Sequence, residues 1–239
     1  MVCQLLKYGE MSGEQQMALD SLLLDEHSQN PQASSILRFQ DWSSPAISLG
    51  FHQKQYPEAW KTIAQKHGLD IVHRPTGGRA VLHKGDLVYA VITKVNTAGK
   101  PRSHREVYEY ICKFLIQGFA QLGISLSYGT SGKGYIHNPS CFSTATNADL
   151  VVADGRKLIG SAQVYRHNSV LQHGSITIAP DYSLLTEIFS GSVPVIGCQE
   201  IFAEHQEMPT SRQWGSDLSE ASLRARLIEA LTLSARQHF

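Results

Sequence analysis

The chain has 239 residues, of which 42% are hydrophobic and 18% charged, so it can bury a core and is not disordered by composition. Its 21 Lys and Arg residues balance 21 Asp and Glu residues, which excludes a protein whose affinity for nucleic acid or a membrane surface comes from a basic field. No apolar run approaches the roughly 18 residues that a transmembrane helix needs, and no secretory signal pattern is apparent. We therefore expect a cytoplasmic globular protein without a membrane or nucleic-acid partner.

The first half of the chain alternates between helical and strand patterns. Apolar spacing and strand propensity predict two helices, at about 12–26 and 57–68, and four strands, at about 36–39, 46–51, 69–73 and 87–95. Ser12 and Gln15 fit a capping box at the start of the first helix. Gly68 stands where a C-terminal cap ends the second helix.

The second half predicts a longer helix and then a meander of strands. A capping box of Ser103 and Glu106 opens a helix to Gly123, and Asp154-Gly155 fits a hairpin turn. The remaining predicted elements are strands at about 124–128, 149–153, 156–165 and 170–179 and helices at about 183–189 and from 217 to the C-terminus. Because there is no regular βαβ alternation, we expect an α+β fold with a central, mainly antiparallel β-sheet flanked by helices.

The four cysteines form no C-x-x-C pair, and the 11 histidines form no metal-ligand motif, so the sequence predicts neither a disulfide framework nor a metal site. Residues 129–147 form a long polar loop, and loops of this kind are often functional. Cys141 lies in that loop, where a thiol can meet a substrate. An isolated loop cysteine can equally be a bystander, but a neighbouring lysine such as Lys157 would favour its thiolate.

Two further segments carry candidate chemistry. Gly77 and Gly78 lie between two predicted strands with basic flanks, where backbone N–H groups can hold an anion or a carbonyl, although a plain hairpin fits as well. Strand alternation puts Lys157 on the same face as Ile159 and Ser161. That lysine is either a functional ammonium on an inward face or a solvated surface group.

Taken in order, these segments resemble the lipoate/octanoate transferase and lipoate-protein ligase superfamily, which is related in fold to the biotin protein ligases. The segments that carry the resemblance are Gln16–Asp20, Pro45–Gln53, Arg74–His83, Arg156–Gln163 and Leu171–Ile176. It covers about residues 12–180 and implies a single catalytic domain over 1–239, with a C-terminal helical segment at about 181–239. The fold it implies is that of a biotin/lipoate ligase-like catalytic domain.

Within the superfamily, the pairing of Cys141 with Lys157 is most similar to the cysteine-dependent octanoyltransferases. The resemblance implies transfer of octanoyl (or lipoyl) from acyl carrier protein to a lysine of a lipoyl domain, such as the glycine cleavage H protein or a dehydrogenase E2, without a cofactor. Cys141 and Lys157 would be catalytic. The substrate would be bound by Arg74, Thr76, Gly77, Gly78, Arg79, Ala80, Val81, His83, Gly160, Ser161, Ala162, Gln163, His173, Gly174 and Ser175. The acyl tail would lie against apolar residues such as Val81 and Ile159.

Two alternatives stay open at this point. Asn147 and Asp149 resemble the segment that ATP-dependent lipoate ligases use near the adenylate and Mg²⁺, although Ala148 interrupts the match and Arg79 stands where those ligases tend to have a third glycine. Under that reading Lys157 contacts a lipoyl-adenylate and Cys141 has no catalytic role. A non-catalytic acyl-binding relative would keep the tunnel without needing a nucleophile.

Overall fold

The computed structural model describes residues 3–96, 103–129, 149–190, 194–204 and 217–239. Within these ranges the helices are α1 (Gly13–Gln29), α2 (Ala59–His67), α3 (His104–Gln121), α4 (Tyr182–Phe189), α5 (Cys198–Glu204) and α6 (Glu220–His238). The strands are β1 (Gln4–Met11), β2 (Ile36–Trp42), β3 (Ala46–Leu49), β4 (Asp70–His73), β5 (Val81–His83), β6 (Asp86–Lys94), β7 (Ser127–Tyr128), β8 (Asp149–Val151), β9 (Lys157–Arg166) and β10 (Ser169–Thr177).

Seven strands form the main sheet, in the order β1-β2-β6-β10-β9-β8-β7. All neighbours pair antiparallel except β1 and β2, which are parallel. Nearly every residue of β6 and β10 is buried, because α1 packs on one face of the sheet while α3 and α6 supply apolar side chains to the core on the other. The predicted α+β architecture with a central, mainly antiparallel sheet is confirmed.

A smaller sheet has the order β4-β3-β5, with β3 parallel to β4 and antiparallel to β5. Its apolar side chains join those of α2 and α4 in a second core. Because β3 lies between β4 and β5, the Gly-Gly segment that connects these two strands is a crossing loop. The plain hairpin that the sequence also allowed at this point is wrong.

Local signals placed the helix ends well. Both capping boxes are present at α1 and α3, and Gly68 ends α2 at φ 63°. The strand predicted at 124–128 is reduced to Ser127–Tyr128, and neither β1 nor α5 was predicted. The C-terminal α6 packs against α3 in the main core. No helix in the described ranges has both the length and the apolar character needed to cross a bilayer.

Candidate functional site

A cleft lies between the two sheets, with an empty volume of about 700 Å³ that is partly open to solvent. It combines predicted site residues from the Gly-Gly loop, from β5 and from the central strands. The lining residues are Met17, Trp42, Ser48, Arg74, Gly78, Val81, His83, Val88, Asp149, Lys157, Gly160, Ser161, Ala162, His173, Gly174 and Ser175. Clefts with a mainly apolar wall and a few convergent polar groups are typical ligand sites.

Lys157 forms a buried ion pair inside this cleft. Its Nζ lies 2.8 Å from Oδ1 of Asp149, and the two side chains are only 3% and 6% exposed. The backbone at Lys157 is fixed from outside the sheet, since its N–H donates to the carbonyl of Pro194 and its carbonyl accepts from Ile196. The surface-lysine alternative is therefore excluded by the structure.

The face of β9 that carries Lys157 differs from the predicted one. The pairing of β8 with β9 is irregular, because Leu150 faces Ile159 whereas the next residue, Val151, faces Lys157. This bulge breaks the strict alternation of the strand, so the lysine side chain lies over Gly160. A Cβ atom at Gly160 would be 2.9 Å from both Cε and Nζ of the lysine. The glycine therefore provides the space that the ammonium occupies.

The Gly-Gly loop is organised by the guanidinium of Arg74, which is buried. Its Nη2 donates to the carbonyls of Gly77 at 2.8 Å and Arg79 at 2.6 Å, while Nη1 donates to the carbonyl of Ser48 at 2.8 Å. Arg74 was predicted to bind the substrate and lines the cleft, but these hydrogen bonds are made to the loop and to β3. Its contacts show a role in shaping the loop.

The loop leaves backbone donors for a ligand. In the part of the chain that the structure describes, the N–H groups of Gly77 and Gly78 have no hydrogen-bond acceptor. Gly78 has a φ of 88°, a conformation that favours glycine, and it lines the cleft. The loop also packs closely on β3, since a Cβ at Gly50 would lie 1.9 Å from the carbonyl oxygen of Gly78. Backbone donors in such a loop can hold a carbonyl oxygen or an oxyanion.

Two histidines border the cleft, and both are buried. Nε2 of His83 lies 2.8 Å from Oγ of Ser48, and its ring stacks on Trp42 with centroids 4.2 Å apart. Nε2 of His173 lies 2.5 Å from Oγ1 of Thr76. Burial lowers the pKa of His173. This ring is therefore neutral at physiological pH and suited to hydrogen bonding.

Five predicted substrate-binding residues do not line the cleft: Thr76, Gly77, Arg79, Ala80 and Gln163. Ala80 belongs to the core of the small sheet. Gln163 instead donates to Gln172 and accepts from Tyr165. Ile159, proposed to contact the acyl tail, lies in the main core because the bulge turns it away from the cleft.

Cys141 and Asn147 lie outside the described residues. Each of the three described cysteines has a raised pKa, with burial as the main cause. For Cys112 the value is about 12. These three thiols are therefore protonated at neutral pH and make poor nucleophiles.

Several residues that build the cleft were not among those predicted from the sequence. Met17, Trp42 and Val88 contribute apolar surface, and Ser48 contributes a hydroxyl. Asp86 supports His83, with Oδ2 2.8 Å from Nδ1 of the ring. Its position three residues after a predicted site histidine was the one local signal available. No group of three or more potential metal ligands occurs within the described ranges.

Comparisons with known proteins identify the family of this chain. Residues 12–231 match the family model described as the lipoyl protein ligase A/B catalytic domain. The octanoyltransferase LipM of Geobacillus kaustophilus is 37% identical over 180 residues, which is 72% of this chain and 64% of that protein. The chain spans about two thirds of the length of the curated relatives that it matches.

Solved structures show the same fold at lower sequence identity. A lipoate-protein ligase A bound with ATP superposes with a TM-score of 0.70 at 19% identity, covering 98% of this chain and 86% of that one. A bi-partite lipoate protein ligase from Thermoplasma acidophilum, studied with its E2 lipoyl domain, gives a TM-score of 0.63 at 19% identity, covering 98% and 84% of the two chains. The resemblance inferred from the sequence is confirmed. The chain belongs to the lipoyl protein ligase A/B catalytic domain family.

Proposed function

We propose that the protein transfers octanoyl (or lipoyl) from acyl carrier protein to a lysine of a lipoyl domain, through a thioester on Cys141. The observation that carries the proposal is the cleft, which is lined by the buried ammonium of Lys157 and by Gly78, whose N–H group has no acceptor among the described residues. The identity with an octanoyltransferase supports the choice of acyl group. The Thermoplasma ligase studied with its E2 lipoyl domain supports the choice of acceptor.

The first step exchanges one thioester for another. The thiolate of Cys141 attacks the acyl carbonyl carbon, a C–S bond to the enzyme forms, and the C–S bond to the carrier breaks. The carrier sulfur leaves as a thiolate and takes a proton from solvent. Because both bonds are thioesters, the exchange has little thermodynamic cost and needs no ATP.

The second step forms the amide. The neutral amine of the acceptor lysine attacks the same carbonyl carbon, the C–N bond forms, and the bond to the sulfur of Cys141 breaks. The nitrogen gives up one proton and the cysteine recovers one. The reaction is downhill because an amide is more stable than a thioester.

The described residues stabilise both steps. Negative charge develops on the carbonyl oxygen each time, and the N–H group of Gly78 and the ammonium of Lys157, which both line the cleft, would donate to it. The carboxylate of Asp149 offsets the positive charge of Lys157 and holds its ammonium group in place. The acyl chain would pack on Met17 and Val81, where each buried methylene contributes about 0.8 kcal/mol.

Chemical reactivity supports Cys141 as the nucleophile. Burial holds the thiols of Cys3, Cys112 and Cys198 in the protonated state. Cys141 is the remaining cysteine of the chain, and it lies in a polar stretch of the sequence. Under this proposal the enzyme needs no cofactor and works in the cytoplasm, where the thiol stays reduced.

Intact mass spectrometry after incubation with octanoyl-carrier protein, without ATP, tests the proposal. We expect one octanoyl adduct on the wild type and on the matched control Cys3→Ser, and none on Cys141→Ser. An adduct that persists on Cys141→Ser, or a wild type that is never acylated, would contradict it.

An ATP-dependent lipoate ligase is the second candidate, and one observation favours it. Asp149, from the segment that resembles the ligases' adenylate site, lies in the cleft beside Lys157. The two candidates are distinguished by incubating the protein with ATP and free lipoate. A ligase releases pyrophosphate in this reaction, whereas the transferase does not. Acyl binding without either reaction would instead indicate a non-catalytic acyl-binding protein.

A further inference from the structure

The Gly-Gly loop is connected to two buried carboxylates, one on each side, and each connection passes through a histidine and a hydroxyl group. The two sets of hydrogen bonds arise on different elements and end on neighbouring residues of the same loop. We call them the β6 relay (Asp86, His83, Ser48 and Arg74) and the α1 relay (Asp20, His173 and Thr76).

The β6 relay begins at Asp86, whose Oδ2 lies 2.8 Å from Nδ1 of His83 and accepts from Oγ of Ser175 at 2.6 Å. Nε2 of the ring lies 2.8 Å from Oγ of Ser48. That hydroxyl oxygen accepts from Nη1 of Arg74 at 3.2 Å. The same guanidinium holds the carbonyls of Gly77 and Arg79, so the relay ends on the loop backbone.

The α1 relay begins at Asp20, which is fully buried and held by Arg38 and Gln40. Its Oδ2 lies 3.3 Å from Nδ1 of His173. Nε2 of that ring lies 2.5 Å from Oγ1 of Thr76, the residue directly before Gly77. Both relays thus share the order carboxylate, imidazole and hydroxyl, and the β6 relay adds the guanidinium of Arg74 before the loop backbone.

This order fixes the proton positions. A carboxylate oxygen accepts hydrogen bonds, so Nδ1 of each histidine is assigned as the donor to it. In the tautomer with its proton on Nδ1, Nε2 is an acceptor and the hydroxyl of Ser48 or Thr76 donates to it. Each hydroxyl is oriented by an imidazole ring that is itself oriented by a carboxylate, and such supporting hydrogen bonds fix the geometry of a site.

Ser48, His83 and Asp86 also have the arrangement of a nucleophilic triad. Two features favour a positioning role instead. Ser48 is only 1% exposed, in the middle of β3, and its oxygen already accepts from Arg74. The guanidinium is committed to the loop carbonyls as well. The relay therefore joins the carboxylate to the loop.

We propose that Asp86 with His83, and Asp20 with His173, are positioning residues that hold the Gly-Gly loop so that the N–H group of Gly78, which lines the cleft, is ready for the acyl carbonyl. The proposal rests on the proposed function in one respect, that the carbonyl bound there belongs to the thioester on Cys141. Donors that are already aligned need no reorganisation when charge develops on that oxygen. The loop is thereby preorganised from both sides.

Isotope-edited infrared spectroscopy of the acyl-enzyme, loaded with ¹³C-carbonyl octanoate, tests this. We expect the thioester carbonyl band of the wild type at lower wavenumber than that of the unfolded acyl-enzyme. Ser48→Ala and Thr76→Val each break one relay, so the band should move back to higher wavenumber and kcat should fall at least about tenfold, with KM for the carrier little changed. Thr76→Ser keeps the hydroxyl and should restore the band. If Ser48→Ala and Thr76→Val are both folded and their thioester carbonyl bands stay at the wild-type wavenumber, the proposal is overturned.

Backbone order parameters of Gly77 and Gly78, measured by ¹⁵N relaxation without any acyl group, separate this proposal from the proposed function. We expect values near about 0.85 in the wild type and below about 0.6 in Ser48→Ala and Thr76→Val. Equal values in all three proteins would refute positioning by the relays. A wild type that forms no acyl-enzyme but shows these differences would refute the proposed function alone.

Discussion

Replacing Asp149 by alanine tests the buried ion pair on which the cleft depends. At the Nζ–Oδ1 distance of 2.8 Å to Lys157, an effective dielectric constant of about 20 gives an attraction of about 6 kcal/mol. Part of this attraction offsets the cost of removing both charges from water. When only the carboxylate is removed, the ammonium keeps its burial at 3% exposure and loses this compensation. The free energy of unfolding should therefore fall by about 3–5 kcal/mol.

Urea denaturation of a double-mutant cycle measures this directly. Asp149→Ala should be strongly destabilised, while Asp149→Ala combined with Lys157→Met should lose less than the two single changes together, because no unpaired charge remains. The control is Glu109→Ala, whose partner Arg105 is 42% exposed; it should change stability by no more than about 1 kcal/mol. Additive effects, or an Asp149→Ala cost as small as that of the control, would refute the reasoning.

Three further predictions concern the cleft and the core. Gly160→Ala should displace the side chain of Lys157 and slow octanoyl transfer by about 100-fold, whereas an unchanged single-turnover rate would show that the lysine position does not matter. Gly78→Ala should lose about 1–2 kcal/mol in urea denaturation because of its positive φ, and Gly77→Ala, which has open space and no positive φ, should lose less. Burial lowers the pKa of His27 to about 4, so its contribution to stability is complete above the unfolded pKa of about 6.5 and is lost as the pH falls towards 4. Between about pH 7 and pH 4.5, His27→Leu should lose about 2 kcal/mol less stability than the wild type; equal losses would contradict the shift.

Local sequence signals predicted the helices and much of the main sheet. The capping boxes that begin α1 and α3 and the glycine that ends α2 depend only on residues within a few positions of one another. The parallel pairing of β1 with β2 depends on distant segments, and β1 carries no clear alternation of its own. Its place at the sheet edge was therefore not predictable from spacing.

In the candidate site, too, features set by nearby residues were predicted and features set by the pairing of distant segments were not. The Gly-Gly loop and Lys157 were found from the sequence, because motif residues stay together along the chain. The face of Lys157 was predicted wrongly, since the bulge that sets it is created by pairing with β8. The link between Ser48 and His83, which are 35 positions apart, exists only once β3 and β5 pair. The residues that orient the site are therefore harder to predict from the sequence than the residues that carry its chemistry, because they come together only when distant strands pair.

Transfer from an isolated acyl-enzyme tests the central claim most directly. The wild type is loaded from octanoyl-carrier protein, separated from it, and mixed with a lipoyl domain in the absence of ATP. Peptide mass spectrometry locates the acyl group before and after this mixing. We expect octanoyl first on Cys141 and then, in equal amount, on one lysine of the lipoyl domain. An acyl group found on another residue, or one that stays on Cys141 while the lipoyl domain remains unmodified, would contradict it.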